Sequence, residues 1–447
     1  MCRGDISIDL ALTYDVILGA FGDWIAISMQ CATGPNTRQA TTHMVTSSEV
    51  IIISASHCWI LSARVISSRK NVTFNLRSSA AQAENEFDTY DEGAAASKTK
   101  ERKLLVEPLQ YGGTLDSYRY FDVTPVIGRE FPEAQLNKIL KDDAQIRDLG
   151  ITIAQRGVIF FRNQDLTVEQ QKALGQKLGE LTGKPSTSKL HRHAVIHSKR
   201  GVAVDEQGNR DDEISVISSE QNKKFYNGLF TVNSGKIASH GWHADISFEN
   251  ASSDYTLLKI ITLPEEGTGG DTLWASGYEA YDRLSPAFKK LAESLKAVHS
   301  QPYFRTLVEK HGLELIEENR GSPENRGTEF WASHPVVRTN PVTGWKSLFA
   351  SGSQIRSSGF EGVTERENEI LKLYFLQLIA ENHDLQVRFK WGLNDVAIWD
   401  NRSAFHTATY DYYGKRQGNR VVSVGEKAYF DPSSTSRREA LFGQDGL

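Results

Sequence analysis

His243 and Asp245, in the run Trp242-His243-Ala244-Asp245-Ile246-Ser247-Phe248, stand two positions apart. On an extended segment such positions project to one face, so an imidazole and a carboxylate placed there can converge on one ion. With 12 histidines in the chain, roughly one His-x-Asp is expected by chance, and a His in a polar turn beside a capping Asp is the plain alternative. His406 follows Val396-Ala397-Ile398-Trp399, a buried-strand pattern that ends in the polar turn Asp400-Asn401-Arg402. It is either a structural histidine after a strand or a third ligand. Two His and one carboxylate on one side of a metal leave the other positions open, as non-haem Fe(II) needs for a cosubstrate and O2; zinc more often takes a closed tetrahedral set or a three-ligand hydrolytic site. Arg416 and Arg420 come ten and fourteen residues after His406. If Arg416 already lies on the extended run leading into Val421, both guanidinium groups share a face, and a planar fork of donors suits a carboxylate or a sulfonate. Lys415, Gln417 and Gly418 beside them allow a solvated basic loop instead.

The elements that must position these groups lie in the larger part of the chain. Its 447 residues suffice for one large core and a second small unit, and 51 Lys and Arg against 56 Asp and Glu give a net charge of -5. That balance offers no global attraction for nucleic acid or an anionic membrane, so any anion binding is local. Cys2, Cys31 and Cys58 all fall in the first sixty residues, so a downstream metal site must be built from His, Asp and Glu. Asp23 interrupts the apolar run Val16 to Ala26, and no stretch reaches about 18 uninterrupted apolar residues; the chain is expected to be soluble and cytoplasmic. Residues 1–103 are Ser- and Thr-rich with no sustained period and are expected to be a poorly structured appendage; residues 104–432 are expected to form the folded domain, and 433–447 a tail.

Helical spacing is present over Ala134 to Leu149, Thr167 to Leu181 and Thr364 to Ala380, and over Tyr278 to Val298 with Pro286 as a potential break. Strand signals occur at Gly157 to Phe161, Asp254 to Leu263, Asp271 to Trp274, Val336 to Thr339, Lys346 to Phe349, Val387 to Trp391, Val396 to Trp399 and Arg420 to Tyr429. Many short strands in the C-terminal half, with helices before and between them, predict an α+β fold whose core is an antiparallel double-sheet jelly roll. An alternating βαβ pattern is missing, which argues against a parallel doubly wound fold or barrel.

The strings GKPSTSKLHRH, WHADISFE, TGGDTLWASGYEAYDRL, HPVVRTNP and WDNRSAFHTAT, in this order, resemble the Fe(II)- and 2-oxoglutarate-dependent taurine dioxygenase family, which includes the chlorophenoxyacetate dioxygenases; the resemblance spans about residues 115–432 and is nearest to a fungal sulfonate dioxygenase branch. It implies a double-stranded β-helix in which His243, Asp245 and His406 bind Fe(II). It implies that Thr272 contacts the cosubstrate 2-oxoglutarate, Arg416 its distal carboxylate, and Arg420 and His193 the anionic group of the substrate. The family usually spaces the cosubstrate Arg eleven residues after the distal His; here the interval is ten. Ile196 stands where taurine dioxygenases have Tyr, and Ser239 where they have Asn, so a larger or more apolar alkyl sulfonate is expected in place of taurine. The segment Phe349-Ala350-Ser351-Gly352-Ser353 departs from the family's Asn-containing strand end. The implied reaction consumes O2 and 2-oxoglutarate, hydroxylates the carbon next to sulfur, and releases sulfite, an aldehyde, succinate and CO2. The same chemistry on a sulfate ester or aryloxy carboxylate, a zinc protein with the same ligands, and an inactive metal-binding jelly roll stay open, as does a homo-oligomer.

Overall fold

The computed structural model describes residues 104–196, 211–225, 238–264, 268–355, 357 and 359–443. The chain divides into two units, Met1–Lys98 and Thr99–Leu447. Of the first, only the backbone of short strand segments between residues 12 and 77 is described, so the expectation of a poorly structured appendage at 1–103 lies outside the described residues.

The second unit is a mixed α/β structure. Its main sheet is built from β1 (Phe121–Asp122), β2 (Arg129–Phe131), β3 (Val158–Phe161), β4 (Ile214–Ser218), β5 (Ala251–Thr262), β8 (Val396–Asp400) and β10 (Gln417–Lys427), in the order β4-β10-β5-β8-β3-β2-β1. A smaller sheet holds β6 (Thr272–Ser276) between β7 (Gln386–Phe389) and β9 (Ala404–Ala408). Both are antiparallel apart from the pair β2 and β3, which the helix α1 (Asp143–Arg156) connects in parallel.

Period-two patterning explains the layers. Val158 and Phe160 of β3, Leu258 and Ile260 of β5, and Ala397 and Trp399 of β8 meet Trp274, Val387, Phe389 and Ala404 of the smaller sheet. Phe160 stacks on Phe389 at 4.1 Å between ring centroids. The alternate residues Ile159, Phe161, Tyr255, Leu257, Val396 and Ile398 turn to the opposite face, against Ile146, Leu149 and Ile153 of α1 and Leu174 and Leu178 of α2 (Val168–Leu181). A third helix, α3 (Glu365–Ala380), starts at the reciprocal cap of Thr364 and Glu367 and packs Leu371, Phe375, Leu378 and Ile379 into a second core.

Two helical expectations break where local chemistry stops them. Over Ala134 to Leu149, a single turn at Leu136–Ile139 precedes α1, because the Asp142 side chain accepts from the Ala144 N–H and starts a new helix. The run Tyr278 to Val298 becomes Gly277–Asp282, Pro286–Ser294 and the strand Lys296–Ser300. Ser285 caps the middle helix and Pro286 takes its first position, where the missing N–H costs nothing. Lys296–Ser300 pairs with Trp331–Pro335, a strand without a clear signal in the sequence pattern. At the far end, Ser436 caps the helix Arg437–Phe442 and Arg438 pairs with Glu279, so residues 433–443 pack on the folded unit.

Asp400 and Arg402 flank the turn between β8 and β9 and are fully buried. Arg402 donates from Nε and Nη2 to the two Asp400 oxygens at 2.8 Å each, and Asn340 donates to Asp400 Oδ2 at 2.9 Å. Glu426 Oε2, 3.7 Å from Arg402 Nη1, is too far to replace the two bonds that Asp400 accepts, and breaking a buried pair of this kind costs about 3–5 kcal/mol. Asp400→Ala is therefore expected to lower unfolding stability by about that much; a urea midpoint matching the parent would show that Glu426 alone holds Arg402.

Candidate active site

His406 sits in the middle of β9, opposite Trp274 of β6. Its other edge is occupied by His243, with the His243 N–H donating to the His406 carbonyl at 3.0 Å and the His406 N–H returning the bond at 2.8 Å. Asp245 is held from the other sheet. Its N–H donates to Asn401 Oδ1 at 2.9 Å, while Asn401 Nδ2 donates to Ser253 Oγ and Thr256 Oγ1 of β5 at 3.0 and 2.9 Å. Arg420, on β10 opposite Leu258 of β5, donates from Nη1 to Asp245 Oδ1 at 2.7 Å. The three groups thus meet at a seam where both sheets contribute.

One ligand atom from each of His243, Asp245 and His406 lies within 4.8 Å of the others. His243 Nε2 is 3.9 Å from Asp245 Oδ1, and His406 Nε2 is 3.7 Å from Asp245 Oδ2. His243 Nδ1 donates to the Gly241 carbonyl at 2.8 Å, which leaves Nε2 with its lone pair free for an ion. Asp245 Oδ2 is buried and has no hydrogen-bond partner. A buried anionic oxygen without a donor is costly, and a divalent cation between it and the two imidazoles would satisfy it. Burial pushes the Asp245 carboxyl up, but Arg420, then His406 and His243, bring it down to about 2. Burial, with His243 beside it, brings the His406 imidazole down to about 3, so it is unprotonated at neutral pH and able to ligate. The donor set suits a first-row divalent metal with open positions.

Thr272 and Arg416 stand at the neighbouring edge. Thr272 opens β6 and pairs with Ala408 of β9, two residues beyond His406. Arg416 is buried immediately before β10; its main-chain N–H donates to Ser219 Oγ at 3.1 Å, and its Nη2 has no partner. No carboxylate among the described residues forms an ion pair with it. Burial lowers its pKa. Gly270 adjoins it with φ at 67°, where a Cβ would come within 2.7 Å of Arg416 Cδ, so the turn must be Gly for this side chain to lie there. His193 lies two residues past His191, whose N–H donates to the Val422 carbonyl beside Arg420 on β10. The His193 ring packs at 5.3 Å from Phe304. Ser239, on the turn Ala238–Gly241 before His243, lines a cavity of about 320 Å³ with His240, Ser351, Ser353 and Leu376. Gly352, at φ 93°, lies so close that a Cβ there would meet the Trp242 carbonyl. The side chain of Ile196 lies outside the described residues.

The support around the triad is less visible in the sequence than the triad itself. Asn401 is marked only by its place in the string before His406, and the Gly241 carbonyl by nothing. Glu249, four residues past Asp245, takes a two-bond fork from buried Arg320 at 2.7 and 2.8 Å. His299 contacts Ser247 Oγ through Nδ1 at 2.8 Å, and His334 donates from Nε2 to the Ser247 carbonyl at 2.9 Å.

Burial, then the Arg338 cation, holds the His334 imidazole down to about 4; burial, His334 and Arg338 hold His299 well below its ordinary range. An unfolded imidazole titrates near 6.5, so below that pH the unfolded chain binds protons that folded His334 refuses until about 4. Stability is expected to fall as pH drops through this window, by about 1.4 kcal/mol per pH unit for His334 alone. Urea midpoints at several pH values check this: His334→Gln should flatten the slope, and an unchanged slope in the variant would count against it.

The family described as "Taurine catabolism dioxygenase TauD, TfdA family" matches residues 119–423. The alpha-ketoglutarate-dependent dioxygenase btcD of Neocamarosporium betae is 49% identical over 352 residues, covering 75% of this chain and 99% of that protein. An alpha-ketoglutarate-dependent sulfonate dioxygenase of Saccharomyces cerevisiae is 30% identical over 290 residues, covering 65% of this chain and 62% of that one. Among solved structures, a taurine dioxygenase from Burkholderia xenovorans superposes with a TM-score of 0.52 at 25% identity, over 71% of this chain and 94% of that chain.

Proposed function

The chain belongs to the taurine catabolism dioxygenase TauD, TfdA family and is a 2-oxoglutarate-dependent dioxygenase served by Fe(II), 2-oxoglutarate and O2; on that premise we propose that its substrate is an alkyl sulfonate, hydroxylated at the carbon next to sulfur. The two sheets are then the halves of a double-stranded β-helix. His243, Asp245 and His406 hold the iron, Thr272 and Arg416 hold 2-oxoglutarate, and Arg420 with His193 faces the sulfonate. When bound, Fe(II) couples oxidative decarboxylation of 2-oxoglutarate, with O2, to hydroxylation of a C–H bond.

The observation that carries the substrate class is Arg420. Its Nη1 is on Asp245, while its Nε is buried without a partner, so a cation stands against the triad with donor capacity left for an anion. A charge-assisted bond there is worth about 1.5–3 kcal/mol and fixes the reacting carbon next to the triad. Ser239, shorter than the Asn that taurine dioxygenases have at this position, offers weaker hydrogen bonding to a small zwitterion and so supports a substrate larger or more apolar than taurine. The relative named a sulfonate dioxygenase supports the anion class. Once a hydroxyl stands on the carbon bearing the sulfonate, its proton leaves, a carbonyl forms, and sulfite departs with the C–S electron pair.

Succinate formation from a panel of alkyl sulfonates, sulfate esters and aryloxy carboxylates, with sulfite release measured for the sulfonates, tests the assignment. The expected result is stoichiometric sulfite and succinate from sulfonates longer than taurine. Arg420→Ala is expected to raise the KM for the sulfonate about tenfold or more, while anaerobic Fe(II) and 2-oxoglutarate still give a visible charge-transfer band. Turnover of sulfate esters alone, or an unchanged KM in Arg420→Ala, would overturn the sulfonate reading.

A further inference from the structure

We propose that Trp391 is a positioning residue for the cosubstrate, orienting the Thr272 hydroxyl towards a carboxylate of 2-oxoglutarate. This rests on the reading of Thr272 as a cosubstrate contact and extends it to a residue 119 positions away in the chain. Trp391 and Thr272 are both buried, and the indole Nε1 lies 3.1 Å from Thr272 Oγ1. An indole N–H can only donate, so the threonine oxygen must accept. A hydroxyl has one hydrogen and two lone pairs. With one lone pair committed to the indole, the hydrogen swings away from it, and Thr272 Oγ1 has no other side-chain hydrogen-bond partner among the described residues. A carboxylate can only accept. The arrangement therefore presents the hydroxyl as a donor, already polarised by the bond it receives.

The indole is held where it is by contacts on several sides. Its ring stands edge-on to Phe389 at 5.0 Å and near Trp274 at 6.3 Å. The next residue, Gly392, donates its N–H to Asp395 Oδ2 at 2.7 Å. The same edge of the smaller sheet also steadies the other end of the candidate cosubstrate site. Arg388 of β7 donates to Asp271 at 2.7 Å and to Asp411 at 3.2 Å, tying the Gly269-Gly270-Asp271 turn, against which Arg416 packs, to the loop after β9. Strand β7 and the residues after it thus brace both Thr272 and Arg416, although none of them belongs to the metal site.

The test is a mutant cycle read by binding as well as turnover. Anaerobic Fe(II) enzyme is titrated with 2-oxoglutarate, following the charge-transfer absorption, for the parent, Trp391→Phe, Thr272→Val and the double variant; KM for 2-oxoglutarate and kcat are measured alongside. Trp391→Phe is expected to weaken 2-oxoglutarate about five- to tenfold, with kcat within about threefold and the KM for the sulfonate unchanged. In the Thr272→Val background the same substitution should add less than about twofold, because the oxygen through which it acts is gone. Thr272→Ser, which keeps the hydroxyl, should restore the full effect. Trp391→His, smaller but able to keep a ring N–H, should recover part of the affinity and serves if the Phe variant folds poorly. Equal losses in the parent and Thr272→Val backgrounds, or a lowered melting temperature with unchanged 2-oxoglutarate affinity, would reduce Trp391 to packing and overturn the proposal. A parent enzyme that forms no band overturns the cosubstrate assignment of Thr272 and this inference with it, whereas a normal band with additive losses overturns only the role of Trp391.

Discussion

Asp245→Ala is expected to abolish succinate formation and Fe(II) retention together, by more than about a hundredfold. Losing a group that merely orients a metal ligand costs about 10–100-fold, and in the proposed assignment Asp245 is the ligand itself. Its carboxyl, held at about 2, is ionised at any working pH, and its unpartnered Oδ2 belongs to the only anionic group in the triad. Alanine removes that charge and also leaves Arg420 beside the two imidazoles without its carboxylate. Two cation-repelling changes then coincide at one place. His243→Ala and His406→Ala should fall to similar levels, and pairwise combinations should add little, because the three groups act as a unit. The melting temperature of the metal-free protein separates loss of the ion from loss of the fold. Near-normal turnover in Asp245→Ala would remove the triad from the mechanism.

The same triad shows what can be read from the chain. His243 and Asp245 share a face by spacing alone, and the metal chemistry follows from their types. That His406 joins them depends on a main-chain bridge across 163 positions, which only the ordered family strings suggest. The β8 strand is legible as an apolar run buried on both faces, and β5 and β10 through shorter apolar stretches, Leu257, Leu258, Ile260 and Ile261 in one and Val421, Val422 and Val424 in the other. Lys296–Ser300 is not: it follows a good helical pattern directly, and only pairing with Trp331–Pro335 makes it a strand. Arg420 is visible as a cation but its hold on Asp245 is not, since that bond is set by the register of β10 on β5. The local pattern makes Trp391 no more than the end of a strand; its contact with Thr272 belongs to tertiary packing that no local pattern encodes.

Arg416→Ala is expected to raise the 2-oxoglutarate requirement about a hundredfold. Two charge-assisted bonds from one guanidinium fork to a carboxylate contribute roughly 3 kcal/mol or more, and about 1.4 kcal/mol is tenfold in affinity. Arg416 is suited to that role because it is buried, its Nη2 is unpartnered, and no protein carboxylate among the described residues forms an ion pair with it. Arg388, the other cation near the Gly269-Gly270 turn, is already shared between Asp271 and Asp411. Arg416→Lys keeps the charge but not the fork and should fall between the two. Gly270→Ala offers a second route to the same result without touching the cation: the added Cβ would press within 2.7 Å of Arg416 Cδ from a backbone at φ 67°, displacing the guanidinium. If both variants bind 2-oxoglutarate as the parent does, a different arginine carries the distal carboxylate. If only Gly270→Ala is silent, the guanidinium is long and mobile enough to reach the anion from a shifted stem, and the spacing of ten residues after His406 is no obstacle to its role.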